Sequence, residues 1–149
     1  QWPDKHRVAE ATNHLRANIE PGESVVYAPD WLHLIGAVRQ VPIDLELQQQ
    51  LATLFPPNAR VPASELNSEA IRLPNPPPGI WLVVSNLPET RDPRRVALAV
   101  ATLARQLDAP FDQHKFSTRL RPRSLHLIRI RSTGVDLQVL PPFGSPSEY

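Results

Sequence analysis

The chain has 149 residues, 41% of them apolar and 21% charged, with a formal net charge of +1. That length and mix suit one folded domain of ordinary size, and the near-neutral balance argues against a bulk polyanion binder. The lack of Cys excludes a disulfide scaffold, a thiolate zinc centre and a cysteine nucleophile, and no run of 18 apolar residues offers a membrane-spanning helix.

Asp4 is placed to cap a first helix, in which Val8, Ala11, Leu15 and Ile19 recur at spacings of three, four and four as one apolar stripe. Pro21-Gly22 ends that helix. Ser24–Ala28 (SVVYA) is β-branched and aromatic and reads as a short buried strand, broken by Pro29-Asp30. Residues 31–38 (WLHLIGAV) fit both periods and read as a short helix or turn leading into a strand. Asp44 caps the next helix, whose Leu47, Leu51 and Leu54 share one side before Pro56-Pro57 stops it. Residues 56–79 are rich in Pro, with room for a short helix over 64–71 and an extended connector at 74–79. Residues 80–85 (IWLVVS) form the clearest strand, a continuous apolar run suited to burial on both faces. Asp92-Pro93 supplies a cap and an N1 proline for a helix striped by Val96, Val100, Leu103 and Leu107. Residues 111–118 and Leu125–Arg131 read as two strands joined by an Arg-rich turn around Pro122. These elements predict a single α/β domain over 1–131, followed by an extended C-terminal tail over 132–149. The fold expected is a Rossmann-like three-layer sandwich, its sheet mostly parallel with an antiparallel edge pair.

Chemistry is sparse. No glycine follows Ser24–Ala28 before Gly36, and none follows residues 80–85 closely, so the sequence implies no dinucleotide and no other cofactor. The five histidines show no i, i+4 pair, so no helical metal site is written into the spacing. Asp30 with His33 is the most site-like local pair, because it follows a strand's C-terminal end, where α/β folds place ligands, although helix capping is the role that suits Asp30 better. Trp31 lies at the same strand exit and is the aromatic to test for sugar contact. Ser85 ends a strand, but Val84, Asn86 and Leu87 around it lack the small residues of a nucleophile elbow. Charge is uneven: residues 89–131 hold ten basic and four acidic groups, the rest six and eleven. Lys115, Arg119, Arg121 and Arg123 share odd parity, so a strand there sets them on one face, either as a phosphate-binding patch or as a solvated edge kept from aggregating by charge. Few aromatics interleave these cations, which argues against nucleic acid as the partner.

Two short words carry a family likeness. A helix runs through Pro21-Gly22-Glu23 into the strand Ser24–Ala28 and on to Asp30-Trp31. Later come Gly79-Ile80-Trp81-Leu82-Val83-Val84, a helix, a phenylalanine-bearing segment from Phe111 to Phe116, and the strand Leu125–Arg131. Over roughly residues 4 to 131 this resembles the soluble extracytoplasmic C-terminal region of GT-C membrane glycosyltransferases, protein-mannosyltransferase-like and aminoarabinose-transferase-like. Glu23 stands where Asp is commoner in that family. The resemblance implies a non-catalytic accessory domain, since the family's catalytic acid belongs to a membrane portion absent here. It implies a parent membrane domain as partner, polyprenyl-phosphate sugar or anionic lipid headgroups as contacts, and a periplasmic position at the inner membrane. The chain contains no Met, which adds the expectation of a piece excised from a longer protein. Candidate ligand-binding residues are then Asp30, Trp31, His33, Arg119, Arg121 and Arg123. Two other readings are a standalone hydrolase or transferase built on Asp30, His33 and Ser85, and an interaction module using the Pro-rich stretch 74–78.

Overall fold

The computed structural model describes residues 5–28, 43–55, 71–85, 92–121 and 124–140. Helix α1 spans Lys5–Asn18 and strand β1 Ser24–Ala28. Helix α2 spans Leu45–Ala52, strand β2 Gly79–Ser85 and helix α3 Pro93–Gln106. A short helix α4, Gln113–Ser117, precedes the strands β3, Leu125–Arg131, and β4, Gly134–Leu140. The strands form one open sheet in the order β1-β2-β3-β4. β1 and β2 are parallel, whereas β2–β3 and β3–β4 are antiparallel.

The alternation of each strand sorts the core to two sides of this sheet. Val26, Ala28, Ile80, Leu82, Val84, Ile128 and Ile130 face one way, against Leu47 and Leu51 of α2, Val96, Val100 and Leu103 of α3, and Phe116 of α4. Val25, Tyr27, Trp81, Val83, Leu125 and Leu127 face the other way, against Ala11 and Leu15 of α1. Every residue of β2 is buried, as its unbroken apolar run demands.

The helix caps fall where the sequence places them. The Asp44 carboxylate accepts from the Leu47 N–H at 3.0 Å, and Asp92 accepts from the Arg94 N–H at 2.9 Å with Pro93 in the first turn. The outer edge of β1 is also closed. The Asp44 N–H donates to the Val25 carbonyl, and the Gln48 side-chain amide pairs with both the N–H and the C=O of Tyr27 at 2.7 Å. A buried glutamine thus stands in for a neighbouring strand.

Three expectations are corrected. The sheet is not mostly parallel: one of its three strand pairings is parallel. Residues 111–118 are not a strand, because the Asp112 carboxylate caps a helix by accepting from the Lys115 N–H, and Phe116 rolls under α3 to meet Phe111 at 5.1 Å. The antiparallel partner of β3 is instead β4, drawn from the stretch expected to be an extension and tail. The expected elements over 31–38 and 64–71 lie outside the described residues. Among the described residues no helix is long and apolar enough to cross a membrane.

Candidate functional site

Two places draw chemistry-bearing side chains together. The first is the sheet end at which β1 and β2 finish. Ala28 pairs with Val84, and Ser85 with Leu125, so the turn leading into β3 and the exits of both parallel strands meet there. Arg119 and Arg121 lie in that turn and are exposed. The Arg121 N–H donates to His126 Nε2 at 3.1 Å, while its guanidinium donates to the Thr118 carbonyl at 2.9 Å. His126 is 5% exposed. Burial pushes its imidazole pKa down to about 4, with the Arg121 charge adding to the fall and a bond to the Val84 backbone opposing it. A neutral imidazole is therefore the acceptor that holds the Arg-rich turn. Arg94, at the N-terminal end of α3, is 78% exposed and paired with Asp92 at 3.2 Å.

Of the residues expected to bind ligand, Arg119 and Arg121 are placed at this end, although in a turn after a helix and not along a strand. The shared-parity argument for Lys115, Arg119, Arg121 and Arg123 therefore fails, since Lys115 is helical. Asp30, Trp31, His33 and Arg123 lie outside the described residues. Ser85 is 6% exposed at the end of β2. The Pro-rich stretch 74–78 is largely exposed and has no regular structure. It is pinned upstream, where the Arg72 N–H donates to Gln50 Oε1 and the Leu73 N–H to Gln106 Oε1. Among the described residues no three His, Asp or Glu side chains gather to hold a metal ion.

The second place is on the α1 face of the sheet, and the sequence reading passed over it. Gly22, at φ +86°, turns the chain so that Glu23 points inward. Its side chain is 1% exposed. The Glu23 carboxylate accepts from Trp81 Nε1 at 2.9 Å, from Arg129 Nη2 at 3.0 Å and Nε at 3.2 Å, and from the Glu20 N–H at 2.7 Å. Burial alone raises a carboxyl pKa, but these donors and the Arg129 charge outweigh it and hold Glu23 below its ordinary value. The Arg129 guanidinium also lies 4.6 Å from the centre of the Trp81 ring, a cation–π contact, and His14 meets that ring edge-on at 6.4 Å. Gly79 completes the clasp, since a Cβ there would collide with the Glu23 carboxylate.

Beside the clasp a shallow groove of about 290 Å³ is lined by His14, Asn18, Arg129, Asp136 and Gln138. Its charges are already answered: Arg129 by Glu23 and, at 3.5 Å, Glu20, and Asp136 by Arg131 at 3.2 Å. No excess positive charge is left there to attract a phosphate. The signal for the clasp lay in the sequence: an apolar strand interrupted by Arg129, and a tryptophan whose indole N–H needs an acceptor once buried. The acceptor lies 106 positions from Arg129 in the chain, and no local pattern names it. No protein-family model, curated protein or solved structure matches this chain.

Proposed function

We propose that this chain is a non-catalytic accessory domain of a bacterial GT-C-type membrane glycosyltransferase, held at the periplasmic face, where it contacts acceptor or anionic headgroups such as those of polyprenyl-phosphate sugars. The observation that carries the reading is the convergence of the exposed Arg119 and Arg121 on the sheet end where β1 and β2 finish. This is the end at which open α/β sheets take ligands. The two words behind the family resemblance support the reading in a different way. Glu23 of the first and Trp81 of the second bond to each other, so the two words meet in one structural clasp. Helices on both faces of the sheet favour the finer description of the fold as Rossmann-like and three-layered.

A standalone hydrolase centred on Ser85 has less behind it, because that hydroxyl sits in a buried strand end. Co-sedimentation of the chain with vesicles of anionic phospholipid, against vesicles of phosphatidylcholine alone, tests the proposal. We expect retention on the anionic vesicles that falls at least about fivefold when Arg119, Arg121 and Arg123 are all changed to Glu, and that weakens with salt. Retention unchanged by that triple reversal overturns the headgroup role. Transfer of sugar from a polyprenyl-phosphate donor by the 149-residue chain alone overturns the non-catalytic one.

A further inference from the structure

The two edges of the sheet are treated differently. The outer backbone of β1 is occupied by Asp44 and Gln48, as described above. β4 is the other edge, and among the described residues no strand lies beyond it. Ser132 and Thr133 alone connect Arg131 to Gly134, which stand opposite each other in register. A two-residue link joins a hydrogen-bonded pair. Alternation then aims the N–H and C=O groups of Asp136, Gln138 and Leu140 at β3, and those of Val135, Leu137 and Val139 away from the sheet. The side chains of these three outward-bonding residues are half-buried, and Val135 and Leu137 lie at the margin of the core under α3. Edge strands are ordinarily blunted by Lys, Pro or a bulge. The segment Gly134–Leu140 contains neither residue, and its register is unbroken.

The edge is also apolar at both ends and at its centre, as Val-Asp-Leu-Gln-Val about Leu137, with Asp136 and Gln138 at matching places on either side. We propose that β4 pairs antiparallel with β4 of a second copy of this chain, about a two-fold axis through Leu137. That register sets Leu137 against its own symmetry mate and Val135 against Val139, all hydrogen-bonded pairs formed by the outward row. On the α1 side it sets the Asp136 carboxylate against the Gln138 amide, an acceptor against a donor, and places no two like charges directly opposite. The match is self-complementary, as a two-fold interface requires. A five-residue strand addition is small beside ordinary stable interfaces, so the dimer is concentration-dependent. The proposal rests on the sheet edge alone and stands or falls independently of the headgroup reading.

Sedimentation velocity of the 149-residue chain from about 10 μM to about 1 mM tests it. We expect a shift from monomer to dimer across that range. The paired substitutions Val135→Pro and Val139→Pro delete outward donors while leaving every bond to β3, and they return the chain to monomer. In a chain without other cysteines, Leu137→Cys reports the register directly: under mild oxidation it should cross-link at least about tenfold faster than Thr133→Cys, because paired Cα atoms about 5.5 Å apart suit a disulfide. This comparison decides the matter if the proline variants fail to fold. A chain that stays monomeric to the top of the range overturns the proposal. So does a dimer indifferent to both prolines, or equal cross-linking at 133 and 137, which would point to association through another surface.

Discussion

Glu23 shows how one buried side chain sets the tolerance of its neighbours. Its carboxylate serves four donors from three parts of the chain. Glu23→Ala strips the partner from a largely buried arginine and from an indole N–H, and we expect a loss of about 2–3 kcal/mol in urea unfolding. Gly79→Ala alone should cost about 1–3 kcal/mol, since its methyl group enters the space held by that carboxylate. In the Glu23→Ala background the same change should cost little. A double-mutant cycle reads this coupling, and strict additivity would contradict the geometry. His126 supplies the acid response. Its pKa is about 4 in the fold against an ordinary 6.5, so the unfolded chain takes up the proton first as pH falls. Stability is then lost between about pH 6.5 and 4, by up to about 3 kcal/mol. His126→Gln should flatten that part of the unfolding profile. The lowered Glu23 carboxyl acts in a separate window: its contribution is complete above its ordinary 4.5 and disappears only as pH falls through the lower folded value.

At the scale of elements, local signals were legible where local physics decides. Ser24–Ala28 and Leu125–Arg131 form as strands with the bounds their alternating and apolar runs mark, and Asp44 and Asp92 cap the helices that follow them. The failure at 111–118 has a cause of the same kind. Phe111 and Phe116 look like strand residues, but the Asp112 cap makes a helical turn that brings both rings to one side. That error put Lys115 on an imagined strand, whereas the Arg-rich turn that holds Arg119 and Arg121 was read as a turn from the start. The neighbour of β3 is a matter of tertiary pairing; it was misassigned because Pro141, Pro142 and Pro146 drew the whole stretch 132–149 into a tail, although Val135 to Val139 alternates apolar and polar residues with Asp136 and Gln138 facing solvent. Gln48 is a third case, since a polar residue on the apolar side of a helix gives no hint of the backbone it serves. Gln48→Ala uncovers the Tyr27 N–H and C=O together. We expect it to lower the unfolding free energy by about 2 kcal/mol and to speed exchange of the Tyr27 amide, whereas Gln49→Ala, on the exposed side of α2, should do neither.

At the scale of the whole molecule, the sequence conveyed the α/β class and a central strand buried on both faces. It did not convey the mixed sheet, because strand direction is set by which elements pack together and not by the residues of any one strand. The candidate site divides in the same way. The Arg-rich turn was visible as charge, while its seat at the sheet end came from the pairing of Ser85 with Leu125.

The Glu23–Arg129 bond has a consequence for biosynthesis. During translation the glutamate emerges 106 residues ahead of its arginine, an interval of about 5–20 s at common elongation rates. Throughout that interval the nascent N-terminal half lacks the cation that makes burial of Glu23 tolerable, and it lacks β3, on which β2 pairs. Ribosome-bound fragments ending before residue 129 should therefore stay open to protease, and protection should arrive only once β3 and β4 have cleared the exit tunnel.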